Sequence, residues 1–390
     1  MNSLYIKRCR TIDERKYLIS IVWLFLGLIL GLETTLGQKN VTAIDMDIPF
    51  ISPAVTINGK STVYYELYLT NFSKNIIQLN KLEVISIDKS VALYTSTGVN
   101  LGDRLSGQGV SKEKNKYLFL PGSTSVLYLE YEMPSENNIE AEHRLTFSFE
   151  GKSYTISGAK ADFSNRGPIV LGAPLKSGPW AAIYDPKWQR GHRRVIYAVN
   201  EKARIPGRFA IDFMKLDNDG KTAVSDRNKV TDWYGYNADV LAVSDGEVAA
   251  IETGFRDSKY IDQHPKHNAS NATGNYIALD IGNGNYVFYE HLKFGSIRVK
   301  TGQKVKKGDV IASLGFTGQA TGPHLHFHVA NANSPLGAEG VPFEFEEYTV
   351  LGVYNDFDDF GKVPWDYVKK LSDSILKNDR PAPNTVIKFE

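Results

Sequence analysis

The sequence contains one cysteine and has almost no excess of charge of either sign. Its 390 residues include 45 Lys and Arg against 44 Asp and Glu, which gives a formal net charge of +1. A balanced chain has no global field that draws it to nucleic acid or to an anionic surface, so no nucleic-acid partner is expected. Because the single cysteine, Cys9, lies near the N-terminus, the rest of the chain cannot form disulfides and must fold on hydrophobic cores.

The N-terminal segment has the pattern of an export signal. Five basic residues precede an uncharged run over residues 17–32, and small and polar residues follow up to Gln38. A basic region followed by an apolar region is typical of secretory signals. The run is shorter than the about 20 residues of a membrane span. We therefore expect residues 1–37 to be a cleaved signal peptide, or alternatively a membrane tether, and the protein to be secreted, periplasmic or part of the cell envelope.

The length and the 42% hydrophobic content are sufficient for about two domains. Residues 40–165 consist of short runs rich in Tyr, Thr, Val and Phe that are separated by turn sequences such as PGSTS and PSENN. Such runs predict β-strands. The segment resembles an immunoglobulin-like β-sandwich. His143 falls within one of these strands, where we expect a core or surface histidine and no metal ligand.

A second strand-rich domain is expected over residues 166–350, after a stretch rich in Gly and Pro. The pairs Asp245-Gly246 and Asn283-Gly284 lie between alternating apolar runs and predict hairpins, so we expect a mostly antiparallel sheet. Residues 351–390 form the tail, in which the apolar spacing from Val363 onward predicts a short C-terminal helix. The fold class is therefore all-β with one short helix.

Three of the eight histidines lie within five positions, in the sequence GPHLHFHV. On a strand, His324, His326 and His328 share one face, while Leu325 and Phe327 point to the other face. Imidazoles at i and i+2 stand about 6 to 7 Å apart, since each strand residue rises about 3.3 Å. One ring can then bind a cation while its neighbour acts on the bound water, so this face suits a metal or proton-transfer site.

Two further residues fit such a site. His291 ends the strand-like sequence YVFYEHL, and Asp212 lies in RFAIDF, where its neighbours are apolar. An aspartate in such a position is rarely buried without a partner. One carboxylate with several imidazoles is a ligand set suited to Zn²⁺, and tetrahedral coordination with one open water position is the arrangement of catalytic zinc sites.

The order of these segments resembles the lysostaphin/LytM-type zinc metallopeptidase family over residues 207–330. The resemblance includes AIDF, the glycine-spaced run from Gly302 to Gly315, and TGQATGPHLHFHV. It implies a compact β-sheet fold with a groove and cleavage of peptide bonds in bacterial cell-wall peptidoglycan. Carried over by position, it makes Asp212 and His326 zinc ligands. His324 and His291 become the catalytic histidines that orient and deprotonate the attacking water, and His328 receives no role.

One position departs from the family pattern. A histidine ligand is expected four residues before Asp212, where this sequence has Arg208. A guanidinium group has no lone pair for a metal. On a continuous strand Arg208 would face the same side as Asp212 and could pair with it. Three outcomes are open: His192 supplies the missing ligand, another residue does, or the domain binds no zinc.

The sequence therefore predicts a zinc-dependent endopeptidase whose substrate is a peptidoglycan peptide. The alternative is a non-catalytic relative that binds cell wall or activates another hydrolase. The retention of Asp212, His291, His324 and His326 favours the enzyme, because a binding domain has no physical need for this set. His264 and His267, in a polar loop, are expected at the groove rim or in solvent.

Overall fold

The computed structural model describes residues 43–106, 109–113, 116–134, 139–163 and 167–390. Residues 44–390 form one compact unit. The signal peptide or tether expected at residues 1–37 lies outside the described residues. Within the described ranges, no helix has the length and apolar character that crossing a membrane requires.

Two antiparallel sheets come from the first part of the chain. The first sheet contains β1 (Ile44–Asp47), β2 (Val55–Ile57), β3 (Lys60–Asn71), β6 (Leu105–Ser106) and β9 (Thr124–Glu132). The second contains β4 (Ile77–Ser86), β5 (Ala92–Thr97), β7 (Val110–Glu113), β8 (Lys116–Phe119), β10 (Ile139–Phe149) and β11 (Lys152–Phe163). Their orders are β1-β3-β9-β6, with β2 beside β3, and β11-β10-β4-β8-β7, with β5 beside β4. A short helix, α1 (Gly98–Asp103), follows β5.

The two sheets pack against each other through buried side chains. Along β10, buried and more exposed residues alternate, as expected for a strand with one face in a core. His143 is 0% exposed on the buried face, and its Nε2 lies 2.7 Å from the hydroxyl of Tyr65 in β3. The structure therefore places His143 in the core. The immunoglobulin-like classification and the domain boundaries stay predictions.

The rest of the chain builds one large sheet and two small ones. The large sheet contains eleven strands, β12 (Ile169–Leu171), β13 (Ser177–Ile183), β16 (Ile211–Lys215), β18 (Gly246–Glu252), β19 (Tyr276–Asp280), β20 (Tyr286–Glu290), β21 (Lys304–Val305), β23 (Leu325–Ala330), β24 (Phe343–Val353), β25 (Ile375–Asp379) and β26 (Thr385–Phe389). Its order is β12-β24-β26-β13-β16-β23-β20-β19-β18-β21, with β25 beside β24. Among the described strands, only β12 and β24 pair in parallel.

Two small antiparallel pairs complete the strands. They are β14 (Tyr197–Val199) with β15 (Lys202–Arg204), and β17 (Asp239–Leu241) with β22 (Val310–Ser313). Short 3₁₀ helices occupy His192–Arg194, Pro206–Phe209, Val230–Asp232, Ile261–Gln263, Ala269–Asn271 and Phe357–Asp359. The expectation of a nearly all-β, mostly antiparallel protein is confirmed.

One of the two predicted hairpins forms. Asn283 and Gly284 have φ of 54° and 74° and connect β19 to β20, which pair with each other. The prediction of a hairpin at Asp245-Gly246 is wrong, because the two flanking strands do not pair with each other. β17 pairs with β22, while β18 pairs with β19 and β21. Asp245 instead accepts a hydrogen bond from the Lys306 ammonium group at 2.6 Å.

The prediction of a short C-terminal helix is also wrong. Residues 351–390 are all described and contain no α-helix. The Leu371 amide donates to the Val368 carbonyl at 2.8 Å, but Asp373 has a φ of 65° and ends this single turn. Leu371 and Leu376 pack against the main core, and β25 pairs with β24. Packing and strand pairing therefore outweigh a weak helical spacing.

Candidate metal centre

Three neighbouring strands of the large sheet carry a row of polar side chains. β23 lies between β16 and β20, and in this register Asp212 and Glu290 each lie opposite His326. Since alternate residues of a strand share a face, His328 lies on that face too. On the other face, Leu325 and Phe327 are completely buried, as the alternation predicts. Because the apolar face is packed in the core, the polar side chains are held on the opposite face of the sheet.

Asp212 is the centre of a three-residue cluster. Its Oδ1 lies 2.8 Å from His326 Nδ1 and its Oδ2 lies 2.8 Å from His192 Nε2. The three donor atoms of His192, Asp212 and His326 all lie within 4.8 Å of one another. Two imidazole nitrogens and one carboxylate oxygen are ligands that Zn²⁺ accepts, with a fourth position left for water in catalytic sites. The residues present therefore fit a three-donor zinc site.

His192 reaches the cluster from a short 3₁₀ helix, outside the sheet. This helix, His192–Arg194, packs against a second one, Pro206–Phe209, that leads directly into β16. A Cβ atom built on Gly207 would lie 2.9 Å from His192 Cβ, which is closer than real Cβ contacts allow. The absence of a side chain at Gly207 therefore permits the approach that brings the His192 ring to Asp212.

The electrostatics of the cluster favour an ionised carboxylate. Burial alone would raise the pKa of Asp212, but the neighbouring His192 and His324 rings hold it well below its usual value. Burial lowers the pKa of His326, and the hydrogen bond to Asp212 opposes this only in part. An ionised carboxylate and a neutral imidazole are the forms that bind a metal ion. Burial lowers the pKa of His192 but Asp212 raises it above its usual value, so binding of a metal there would displace the proton that Asp212 favours on this ring.

His291 and His324 each expose a basic nitrogen toward the cluster. Their Nδ1 atoms lie 2.8 and 2.7 Å from the carbonyl oxygens of Thr317 and Gly322, respectively. A carbonyl only accepts hydrogen bonds, so Nδ1 carries a proton, and in the neutral ring Nε2 then keeps its lone pair. The two ring centroids are 4.7 Å apart, and His324 Nε2 lies 3.6 Å from Asp212 Oδ1. Both rings can therefore accept a proton from water held at the cluster.

The backbone at His291 is unusual. It has a φ of 61°, in the left-handed region that non-glycine residues adopt rarely, and its amide donates to the Thr273 carbonyl at 3.0 Å. Such conformations are held by the surrounding structure and concentrate at functional sites. The turn directs the His291 ring back toward His324 and His326.

Comparison with known proteins agrees with this geometry. Residues 229–338 match the family described as Peptidase family M23. These residues form an M23 domain. The matched segment includes His291, His324 and His326, whereas Asp212 and His192 precede it.

Two curated relatives from Vibrio cholerae are similar to the M23 domain. Peptidoglycan DD-endopeptidase ShyB is 37% identical over 101 residues, which cover 26% of this chain and 20% of that protein. Peptidoglycan DD-endopeptidase ShyA is 43% identical over 65 residues, which cover 17% of this chain and 15% of that protein. The chain therefore matches no more than about a fifth of the length of either relative. The catalytic domain of lysostaphin from Staphylococcus simulans is 24% identical, with 43% of this chain and 88% of that chain covered and a TM-score of 0.21.

Arg208 lies just before the M23 domain and does not occupy the metal cluster. It belongs to the 3₁₀ helix Pro206–Phe209 and not to β16, so the expectation that it faces the same side as Asp212 is wrong. Its guanidinium group donates to Glu66 Oε2 and to Glu339 Oε2, each at 2.8 Å. The arginine therefore makes its ion pairs with these two glutamates and not with Asp212, with which it could have paired.

Two buried residues of the M23 domain adjoin the cluster: Glu290, which the sequence interpretation missed, and His328, to which it gave no role. His328 Nδ1 lies 3.7 Å from Glu290 Oε1, and the two side chains are 2% and 6% exposed. Neither ring nitrogen of His328, nor Glu290 Oε1, has a hydrogen-bond partner among the described residues. With His326 they form a second group of donor atoms within 4.8 Å of one another. Their sequence signal was alternation, since Glu290 precedes His291 and His328 continues the histidine face.

A groove gives access to the polar face of the M23 domain. It has a volume of about 270 Å³, and the residues that line it include His192, Glu290, His291, His326 and His328. His264 and His267 do not line it. The Nε2 atom of His264 lies 2.6 Å from the Gly318 carbonyl oxygen, and its ring packs on Phe316 with centroids 3.9 Å apart. These two histidines therefore order a loop outside the cluster.

Proposed function

We propose that the protein is a zinc-dependent endopeptidase that hydrolyses peptide bonds of bacterial cell-wall peptidoglycan. The observation that carries the proposal is the cluster of His192, Asp212 and His326, with the free Nε2 atoms of His291 and His324 beside it. The M23 match supports a peptidase, and the two relatives named as peptidoglycan DD-endopeptidases support a cell-wall substrate.

In the proposed site, His192, Asp212 and His326 hold the zinc ion. When bound, the ion supplies a Lewis acid that acidifies a water molecule and polarises the scissile carbonyl group. His324 and His291 then handle protons at Nε2, because their Nδ1 atoms are engaged by backbone carbonyls. One ring accepts the proton of the attacking water, and a protonated ring donates to the amine that leaves. The positive imidazolium also offsets negative charge at the carbonyl oxygen.

The substrate implies the place where the protein works. Peptidoglycan lies outside the cytoplasmic membrane, so we propose a location in the periplasm, in the cell envelope or outside the cell. The basic and apolar N-terminal residues 1–37 would direct export or tether the chain to the membrane.

A non-catalytic wall-binding protein is the alternative, and it was suggested by Arg208. Two observations favour catalysis over it. Arg208 makes its ion pairs with Glu66 and Glu339, so it does not neutralise Asp212. His192 Nε2 lies 2.8 Å from Asp212 Oδ2, which supports His192 as the replacement for the histidine expected at position 208.

Metal analysis combined with an assay of peptidoglycan hydrolysis tests the proposal. We expect the wild type to contain zinc and to release soluble peptidoglycan fragments. His326→Ala loses both, while His291→Ala keeps zinc and loses about 10²- to 10⁴-fold in rate. His267→Ala, a histidine outside the cluster, serves as the matched control and keeps both. A metal-free wild type without hydrolytic activity would support the wall-binding protein instead.

A further inference from the structure

We propose that Glu66 in β3 is a positioning residue for the metal centre. It pairs with the arginine that follows His192 and with the arginine that follows Gly207, and so keeps the His192 ring beside Asp212. The inference rests on the proposed function, because it takes His192 as a zinc ligand. It makes the first sheet of the protein a part of the metal site.

Glu66 binds both arginines at once. Its Oε1 accepts from Arg193 Nε at 3.0 Å, and its Oε2 accepts from Arg208 Nε at 2.8 Å. The three side chains are no more than 3% exposed. Burial alone would raise the pKa of Glu66, but Arg208 and Arg193 lower it below the usual value. One ionised carboxylate therefore bridges two buried guanidinium groups, which also pair with Glu130 and Glu339.

Arg193 is held along its whole guanidinium group by the first sheet. Its Nη2 donates to the carbonyl oxygens of Tyr65 at 2.9 Å and Leu129 at 2.8 Å. Its Nη1 donates to Glu130 Oε2 at 2.8 Å. Because Arg193 directly follows His192, these contacts fix the backbone that carries the metal-facing imidazole.

Arg208 fixes the segment on which His192 rests. Its Nη1 donates to the Gly340 carbonyl at 3.0 Å, and its Nη2 donates to Glu339 Oε2 at 2.8 Å. The preceding Gly207 lies so close to His192 that a Cβ atom built on it would be 2.9 Å from both the Cβ and the carbonyl oxygen of His192. Glu66 thus holds both the 3₁₀ helix that carries His192 and the one against which it packs.

His192 needs such support more than the other two donors. Asp212 and His326 are fixed by strand pairing within the large sheet. The His192 side chain lies outside the sheet and is 35% exposed. A ligand without strand pairing depends on neighbouring contacts for its orientation, and contacts of this kind tune metal affinity about 10- to 100-fold.

The test measures zinc affinity of the full chain by competition with a chromogenic chelator. Glu66→Gln keeps the shape of the side chain and removes its charge. We expect it to weaken zinc binding about 10- to 100-fold. In a His192→Ala background the same change should cause no further loss, because Glu66 acts through His192.

Glu344→Gln is the matched control. Glu344 is another buried glutamate, 3% exposed, and its Oε1 accepts from the Thr56 amide at 2.6 Å. It thus also links the first sheet to the large sheet, but it makes no contact with Arg193 or Arg208. We expect zinc affinity to be unchanged.

Three results would overturn the proposal. Unchanged zinc affinity in Glu66→Gln would do so while leaving the proposed function intact, and so would a loss that is equally large in the His192→Ala background. A wild type that binds no zinc would contradict both the role of Glu66 and the proposed function.

Should Glu66→Gln fail to fold, Arg193→Lys replaces it, since an ammonium group cannot make all the contacts of the guanidinium group. The same weakening and the same dependence on His192 are then expected, and their absence counts against the proposal.

Discussion

At the scale of single residues, the position of His192 answers the difficulty raised by Arg208. The guanidinium group of Arg208 is buried and bound to two glutamates, so it cannot turn toward Asp212 without breaking two buried ion pairs. The imidazole comes from about 20 residues upstream and reaches the free carboxylate oxygen. The proposed donor set therefore has three members although the local motif lacks one of them.

Replacing His192 tests this substitution directly. We expect His192→Ala to weaken zinc binding by more than about 100-fold, because it removes a donor and not only a residue that orients one. The measurement is the zinc dissociation constant, with His267→Ala as control. Unchanged affinity in His192→Ala would mean that a different residue completes the site.

A buried histidine far from the cluster predicts a pH dependence of stability. Burial lowers the pKa of His143 from 6.5 to about 4. Between these values the unfolded chain binds more protons than the folded protein, so stability falls as pH falls. The contribution is complete above pH 6.5 and lost progressively down to pH 4, by about 3 kcal/mol.

Urea unfolding of the wild type and of His143→Gln between pH 7 and pH 4 measures this loss. Other buried histidines titrate in both proteins, so the difference between the two pH profiles isolates His143. We expect the free energy of unfolding to decrease less steeply in His143→Gln. Parallel profiles would show that folding does not lower the pKa of His143.

At the scale of elements, β23 shows how a strand separates chemistry from packing. Phe327 is 0% exposed and contacts the aromatic rings of Phe213, Phe343 and Phe345. His326 and His328 occupy the opposite face. Successive residues of a strand point to opposite faces, so the sequence HLHFHV predicted this separation of polar and apolar side chains.

The packing face of β23 predicts a large stability effect. We expect Phe327→Ala to lower the free energy of unfolding by about 3–5 kcal/mol, since it leaves a cavity among large rings. Phe72→Ala is the control, because Phe72 is 73% exposed and should change stability by less than about 0.5 kcal/mol. Denaturant titration compares the two, and similar losses would mean that β23 is not packed as described.

Other elements could not be predicted from local sequence. The Asp245-Gly246 pair has the composition of a hairpin turn, but its two flanking strands pair with distant partners. The spacing of Val368 and Leu371 suited a helix, but β25 and β26 join the large sheet instead. In both cases long-range pairing decided the structure, and local propensity is a weak guide to it.

At the scale of the whole molecule, the sequence predicted the site residues on strands or directly beside them better than those farther from strands. Asp212, His291, His324 and His326 could be proposed from strand periodicity and the family resemblance, and the structure brings them together. His192 could only be one of several alternatives, because its position depends on how two 3₁₀ helices pack. The role proposed for Glu66 had no local signal, since it depends on contact with residues more than 120 positions away.

Zinc should stabilise the whole molecule if the site exists only in the folded state. A ligand at 100 times its dissociation constant contributes about 2.7 kcal/mol to the free energy of unfolding. We expect added zinc to raise the thermal midpoint of the metal-free wild type and chelation to reverse the rise. The midpoint of His326→Ala should not respond, and an equal response in this variant would place the ion elsewhere.

The most direct test is an anomalous difference map at the zinc absorption edge from crystals of the full chain grown with zinc. We expect one strong peak bound by His192 Nε2, the Asp212 carboxylate and His326 Nδ1. A map with no peak between these three side chains would contradict the proposed zinc site, whether a peak lies instead at Glu290 and His328 or is absent altogether.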